Sequence, residues 1–306
     1  MRRPSAISPD AFVGKGRWWC GAQQAGFAAM GDLGEDTTIE PADEGRYTAT
    51  PSQDWEIWGP MGGYIASFAL RAAGAESPHE RPAAFSCHYL GVARFEPIDI
   101  RVEARKQGRA AASHRVEITQ DGKPILDAMV WSVPEGEGLE HDETTPPDVP
   151  GPDELPSVQE LLPPDAQPPF PFWLNFDERP LHFEVEWPPD GPRPPEWQAW
   201  LRFLPTSTFD DVWLDAARSV ILVDLPSWPS AHKPHAWQQP PFTAPTLDLN
   251  VAFHQPSAAE PWLLCDGQAP LSTGGLFGWT ARVWSPGGAL HASGGGQCLY
   301  RRVRTP

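Results

Sequence analysis

The chain has 306 residues, a formal net charge of −17 and four widely separated cysteines, and its length accommodates two domains or two copies of one unit. The acidic charge disfavours nucleic acid or an anionic membrane surface as the main partner, because both attract a clustered positive field. No apolar run approaches the roughly 20 residues that span a bilayer, no signal peptide is apparent, and the cysteines show no zinc or redox spacing, so we expect a cytoplasmic protein without membrane insertion.

The first unit begins after an N-terminal segment, residues 1–43, that shows no sustained period and is predicted to be irregular. A short strand is predicted at 47–50, followed by a helix from Pro60 to Ala75. Pro60 suits a first helical position, and no further proline interrupts the run. The apolar residues of this helix cover most of its circumference, which is typical of a buried helix. Other elements must therefore surround it.

Runs of alternating residues follow this helix and predict a sheet. They lie at 84–90, 98–105, 113–119 and 125–131. The last two runs meet across Asp121-Gly122, and this dipeptide is a strong hairpin signal. The first unit, residues 44–133, is thus predicted to be a buried helix in a curled antiparallel sheet.

The second half repeats this order after a segment, residues 134–174, that is rich in proline and acidic residues and is predicted to be a linker. A second helix that is apolar nearly all round is predicted at 212–223, where Asp211 suits the N-terminus. Strands are predicted before it and after it, at 181–187, 197–203, 246–254, 261–266, 278–284 and 290–301. The chain therefore reads as an internal duplication, with the second unit at 175–306.

Several short stretches carry a family resemblance. Trp58-Gly59-Pro60 leading into Met61-Gly62-Gly63-Tyr64 resembles the N-terminal half of the acyl-CoA thioesterase II (TesB-like) family. The second half is similar in residues 224–229, 246–248, 253–254 and 290–293. The resemblance implies an α+β double hotdog fold, in which each of two antiparallel sheets wraps around a long central helix.

The same resemblance implies hydrolysis of acyl-CoA thioesters by a directly activated water, without cofactor or metal. The family uses an Asp at the end of the second central helix, a Thr at the start of the following strand and a Gln on the last strand, and Asp224 and Thr246 fall on the first two positions. A carboxylate can take a proton from water, while hydroxyl and amide groups orient that water.

The third family position departs from the pattern. Without a gap, the Gln position falls on Gly296, and the chain's glutamine is Gln297. A slip of one residue turns a strand side chain to the opposite face. Either the glycines at 294–296 form a bulge that re-aims Gln297, or two side chains alone hold the water.

Substrate-binding candidates follow from the same comparison. The glycines of a helix N-terminus let a carbonyl or phosphate approach backbone N–H groups, so we assign Met61, Gly62, Gly63 and Gly296 to substrate binding. An acidic protein must hold the coenzyme's phosphates with a few placed cations. The candidates are Arg105, Lys106, Arg109, Arg301, Arg302 and Arg304.

Structural interpretations stand beside the functional ones. Asp224 is also a polar helix end, Thr246 an ordinary strand threonine, and His232-x-x-His235 a pair of loop histidines rather than a metal site. The sequence has no G-x-S-x-G nucleophile elbow. Two alternatives remain open, namely a non-catalytic acyl-thioester- or lipid-binding protein on the same fold, and a homo-oligomer of double-hotdog chains.

Overall fold

The computed structural model describes residues 30–163, 166 and 168–303. The helices are α1 (Leu33–Asp36), α2 (Gly62–Glu76), α3 (Val158–Leu161), α4 (Val212–Asp224) and α5 (Ser227–His232). The strands are β1 (Glu40–Asp43), β2 (Arg46–Ala49), β3 (Arg81–Tyr89), β4 (Ile98–Gln107), β5 (Ala112–Gln120), β6 (Lys123–Val133), β7 (Phe176–Pro180), β8 (Glu196–Phe203), β9 (Phe242–Thr243), β10 (Thr246–Phe253), β11 (Leu263–Thr273), β12 (Leu276–Trp284), β13 (Leu290–Leu299) and β14 (Arg301–Arg302).

Among the described residues, twelve strands form one antiparallel sheet in the order β1-β2-β4-β5-β6-β3-β10-β13-β12-β11-β8-β7. The two halves of the chain meet where β3 pairs with β10, for example at Phe85 and Val251. The predicted hairpin is present, because Asp121 and Gly122 adopt the positive φ angles of 50° and 69° that a tight turn between β5 and β6 requires. The predicted α+β double hotdog is confirmed, and the two predicted sheets are joined into one through β3 and β10.

The two long helices lie inside this curled sheet and pack against each other. Ala66 of α2 and Ile221 of α4 are both fully buried, as expected for helices that are apolar all round. Gly63 permits the close approach, because a Cβ at this position would lie 2.8 Å from the Cα of Ile221. The helices therefore bring the start of α2 close to the end of α4.

Helix α2 begins at Gly62, two residues later than predicted. Pro60 instead forms an isolated antiparallel bridge with Glu56, and the Met61 N–H donates to the Trp55 carbonyl. The thioether of Met61 then accepts the N–H of Tyr64 at 3.3 Å and caps the helix. Local contacts at the start of the helix thus decide where it begins.

The strand predicted at 181–187 is wrong. This stretch alternates apolar and polar residues, yet it is an irregular loop, and β7 lies just before it at Phe176–Pro180. Phe176 anchors β7 to the sheet, because its ring packs 4.8 Å from that of Phe203 on β8. Pairing with β8 decided which segment became the strand.

The segments predicted to be irregular contain structure of their own. The part of residues 1–43 that is described holds α1 and the edge strand β1, while Trp18 and Trp19 lie outside the described residues. Between the halves, α3 forms, and Phe172 is fully buried against Trp55 at a ring separation of 6.0 Å. This connection packs on the body of the protein.

Candidate active site

Asp224 is the last residue of α4 and is 5% exposed. Its Oδ2 accepts the backbone N–H of Gly63 at 2.8 Å, and its Oδ1 accepts the hydroxyl of Thr246 at 3.3 Å. Gly63 belongs to the first helix and Thr246 opens β10. The carboxylate therefore lies at the junction of the two halves, and both of its oxygens are engaged.

Burial raises the pKa of Asp224 to about 6, although the hydrogen bonds from Gly63 and Thr246 oppose this shift. Desolvation disfavours the charged form of a carboxyl, so the proton is held more tightly than in water. A carboxylate with a pKa near 6 is ionised at neutral pH and more basic than an ordinary aspartate. These are the properties of a general base that works near neutrality.

Gln297 does not join this pair. Its side chain is exposed, whereas the next residue, Cys298, is buried and its thiol lies 3.7 Å from the Thr246 hydroxyl. The backbone N–H of Gln297 donates to the Asp248 side chain at 3.2 Å. Successive strand residues point to opposite faces, so Gln297 points away from Asp224.

The bulge expected in the glycine run lies on the neighbouring strand instead. Thr246 pairs with Cys298 and Asp248 with Gln297, which leaves Leu247 of β10 as the extra residue. The glycines at 294–296 pair in unbroken register with both β10 and β12. Of the two alternatives, the bulge that re-aims Gln297 is therefore wrong, because the irregularity lies in β10 and the glycines of β13 keep their register.

Trp279 accounts for the glycine at position 296. A Cβ there would lie 2.8 Å from the Trp279 ring and 2.0 Å from the Asp248 carbonyl oxygen. The Trp279 ring is buried, and its N–H donates to the carbonyl of Val223, the residue before Asp224, at 2.8 Å. The indole thus closes the space that a side chain at 296 would need. Gly296 therefore allows the Trp279 ring to pack closely against β13.

Tyr89, which the sequence did not single out, reaches the site from the end of β3. Its hydroxyl is buried and makes no hydrogen bond to a described nitrogen or oxygen, although the weakly accepting thiol of Cys87 lies nearby. Burial raises its pKa well above the usual value, and Cys87 and Asp224 add to this effect. A strand tyrosine is a common core residue, so no sequence signal distinguished it.

Gly62 connects Tyr89 with Asp224. A Cβ on Gly62 would lie 2.7 Å from Asp224 Oδ2 and 3.3 Å from the Tyr89 hydroxyl. The N–H of Gly62 precedes the first intrahelical hydrogen bond of α2, which Ile65 makes to Met61. A carboxylate, a phenol and a helix N–H with no acceptor among the described residues therefore lie around one small region.

A cavity of about 1050 Å³ opens from this region. Both halves and the connecting segment line it, and most of its wall is apolar. Its Trp, Tyr and Phe lining residues are Trp58, Tyr89, Phe170, Trp173, Phe183, Trp187, Trp197 and Trp228. Of the predicted substrate-binding residues, Met61 and Gly62 line the cavity. Gly63 and Gly296 are not among its described lining residues.

The predicted phosphate-binding cations are scattered. Arg301 lines the cavity, whereas Arg302 lies 5.7 Å over the Phe242 ring. Arg105, Lys106 and Arg109 are exposed on the first unit and are not among the described lining residues. Arg304 lies outside the described residues. Lys233, which sequence reasoning missed, also lines the cavity, and burial lowers its pKa.

His232 is part of the aromatic wall. Its ring stacks on Trp228 with centroids 4.6 Å apart, and burial lowers its pKa to about 4, so it is neutral at physiological pH. Within the described residues, no group of three or more His, Cys, Asp or Glu side chains is arranged to hold a metal ion.

Comparison with known families shows where the chain belongs. A model of the acyl-CoA thioesterase N-terminal domain matches residues 51–133, and one of the acyl-CoA thioesterase C-terminal domain matches residues 146–295. The chain belongs to the acyl-CoA thioesterase family. It is accordingly a thioester hydrolase, and the predicted family resemblance is confirmed.

Individual relatives agree with this family. The thioesterase is 26% identical over 274 residues to human acyl-coenzyme A thioesterase 8, covering 82% of this chain and 83% of that protein. Its fold is similar to that of the acyl-CoA thioesterase II TesB2 from Mycobacterium marinum, with a TM-score of 0.72, 23% identity and coverage of 89% and 99% of the two chains. A putative thioesterase II from Thermobifida fusca gives a TM-score of 0.71 at 20% identity, over 90% of this chain and 100% of that chain.

One further property concerns membranes. In the described part of the chain, no helix combines the length and the apolar character needed to cross a bilayer.

Proposed function

We propose that this thioesterase hydrolyses acyl-CoA thioesters to the free acid and CoA, with Asp224 as general base for a directly bound water. One observation carries the proposal: Asp224 is buried at the wall of a large apolar cavity, with a raised pKa and with Thr246 hydrogen-bonded to it. Perturbed carboxyl groups in clefts are characteristic of catalytic sites.

The proposed reaction proceeds in two steps. Asp224 takes a proton from water as the water oxygen forms a bond to the thioester carbonyl carbon, which gives a tetrahedral oxyanion. The intermediate then collapses, the carbon–sulfur bond breaks, and the departing thiolate takes the proton back from the Asp224 carboxyl. Thr246 orients the water and keeps one carboxylate oxygen in place.

The developing oxyanion needs hydrogen-bond donors that the protein does not already use. Gly63 N–H is engaged by Asp224 at 2.8 Å, so we assign the role to the Gly62 N–H and the Tyr89 hydroxyl. Both lie beside the same carboxylate, and the Gly62 N–H is at the positive end of α2. Donors aimed at the oxyanion in a dry site stabilise the transition state strongly.

This assignment gives the site two water-orienting side chains, Asp224 and Thr246, in place of the family's three. Gly296 carries no side chain at the third position, and Trp279 occupies the space around it. The same feature favours the alternative of a non-catalytic acyl-thioester-binding protein, because the family's Gln is missing.

A steady-state assay separates the two functions. A panel of short-chain, long-chain and aryl acyl-CoAs is incubated with the protein, and free thiol is measured. Enzyme-dependent thiol release supports hydrolysis. Saturable acyl-CoA binding with no thiol release from any panel member would establish the non-catalytic alternative.

A further inference from the structure

The wall of the cavity contains the carboxyl group of Glu178, on β7. The neighbouring residues on the same strand face, Phe176 and Pro180, are buried. Asp177 and Arg179 point to the other face, where they form an ion pair at 3.2 Å. Glu178 is therefore the polar residue on the inner, apolar face of its strand.

No described residue forms a hydrogen bond or an ion pair with the Glu178 carboxyl. Burial alone raises its pKa to about 7, and no cation opposes this shift. Taking a carboxyl group out of water without a partner is unfavourable. Glu178 is half-buried and lines the cavity, so its carboxyl group is open to a bound acyl chain.

The position of Glu178 links it to the proposed catalytic centre. Glu178 pairs with Leu201 of β8, and Leu201 pairs with Leu263 of β11; both leucines are fully buried on the inner face of the sheet. Cys265, two residues after Leu263 on the same face, donates its S–H to the carbonyl of Leu222 in α4 at 3.0 Å. Glu178 thus lies on the same side of the sheet as α4 and Asp224.

Aromatic rings also line the cavity. Trp173 and Trp197 both line it, and their ring centroids are 6.3 Å apart. With a volume of about 1050 Å³, the cavity is as large as sites that enclose whole drug-sized ligands. Such walls suit a bulky or flat apolar acyl group better than a short one.

We propose that Glu178 selects the acyl group: the cavity takes a bulky, largely apolar acyl chain that carries a hydroxyl group remote from the thioester, and this hydroxyl hydrogen-bonds to Glu178. The inference rests on the hydrolytic function proposed above. A hydroxyl can both donate and accept, so it matches the carboxyl in either protonation state. A remote carboxylate would repel Glu178, and a remote ammonium would bring a second charge into an apolar wall.

Matched substrate pairs test this proposal. We compare a phenylalkanoyl-CoA with its para-hydroxy analogue, and a medium-chain acyl-CoA with its ω-hydroxy analogue, and measure kcat/KM in the full-length protein. The expected preference for the hydroxylated member in at least one pair is about tenfold, the value of one hydrogen bond to a carboxyl group. Equal kcat/KM within both pairs would overturn the proposal.

Two variants and a matched control identify the residue responsible. Glu178→Leu should abolish the preference for the hydroxylated substrate and increase kcat/KM for its unsubstituted partner. Glu178→Gln should retain most of the preference, because an amide also donates and accepts. Glu186 is an exposed carboxylate at the rim of the same cavity, and Glu186→Gln should leave the preference unchanged. An unaltered preference in Glu178→Leu would assign it to another group.

Affinity measurements keep this test separate from the test of catalysis. Calorimetry gives the dissociation constants for both members of each pair, in wild type and in the Asp224→Asn variant, which serves as a non-hydrolysing host. These measurements do not require turnover. Absence of thiol release with a retained affinity preference would reject the hydrolytic function and keep the Glu178 site. Thiol release without any preference in rate or affinity would reject the Glu178 site alone.

Discussion

Gly63 donates its backbone N–H to the carboxylate of Asp224 at 2.8 Å, although 161 positions separate the two residues in the sequence. The contact ties the first turn of the helix in one unit to the last residue of the helix in the other. Neither unit alone would hold the carboxylate in this way. The candidate catalytic centre is therefore a property of the duplicated chain.

The first prediction concerns Asp224→Asn. The amide keeps the size of the carboxylate, and its oxygen can still accept the Gly63 N–H, but the basic oxygen is lost. We expect kcat/KM to fall by a factor of about 10² or more if Asp224 is the general base. Asp248→Asn is the matched control, on the strand β10 that Thr246 opens, and it should retain the wild-type rate. Full activity in Asp224→Asn would reject the mechanism.

The second prediction concerns pH. Because Asp224 must be ionised to act as a base and its pKa is about 6, kcat/KM should rise with pH through about 6 and then level off. The profile is best recorded with an unsubstituted acyl-CoA in a Glu178→Gln background, since the pKa of Glu178 is also raised, to about 7. A midpoint near pH 4, the range of an ordinary aspartate, would contradict the assignment of Asp224.

Stability should change in the opposite direction with pH. The folded-state pKa of Asp224 lies above its ordinary value of 3.8, so the folded state binds this proton more tightly. The stabilisation of the folded state by this group is fully present below pH 3.8 and is lost as pH rises through about 6. Thermal unfolding of wild type and Asp224→Asn should therefore diverge toward pH 7, where the variant has the higher Tm.

The third prediction concerns Tyr89→Phe. The phenol hydroxyl has no nitrogen or oxygen partner among the described residues, so its removal should leave Tm unchanged or slightly higher. If it donates to the oxyanion, kcat should fall by a factor of about 10², the usual effect of losing one such donor. An unchanged kcat would mean that the hydroxyl is only part of the cavity wall.

The fourth prediction concerns the third family position. Gln297→Ala should retain wild-type kcat, because this side chain is exposed on the far face, whereas Thr246→Val should lower kcat by mispositioning the water. Gly296→Gln, which restores the family residue, should lower Tm without raising kcat, since its Cβ would meet the Asp248 carbonyl and the Trp279 ring. A gain in kcat from Gly296→Gln would show that Trp279 can move aside.

The fifth prediction concerns the coenzyme's phosphates. Arg301 lines the cavity, so Arg301→Glu should raise KM for acyl-CoA several-fold at low salt, and added salt should reduce the difference because exposed charges are screened. Arg105→Glu is the control, because Arg105 is exposed on the first unit and pairs with Glu103 at 2.7 Å. Equal KM values in the two variants would remove Arg301 from the phosphate site.

Much of the architecture could be predicted from the sequence because it depends on local patterns. The helices that contain Ala66 and Ile221 are apolar on every side, which requires burial whatever the surrounding topology. The Asp121-Gly122 turn is set by the φ angles of its own two residues. The order of these signals along the chain, repeated once, indicated the duplicated fold, and the resemblance to the acyl-CoA thioesterase II family then pointed to Asp224 and Thr246.

Only the tertiary structure decided which other side chains accompany Asp224. Gln297 faces away from the site because β13 alternates regularly, and the extra residue at Leu247 of β10 is what sets Thr246 opposite the buried Cys298. Tyr89 and Glu178 look like ordinary strand residues, and their isolation from polar partners appears only when distant strands and helices enclose them. Burial and register are set by partners far away in the sequence, which is why the pattern of one segment does not contain them.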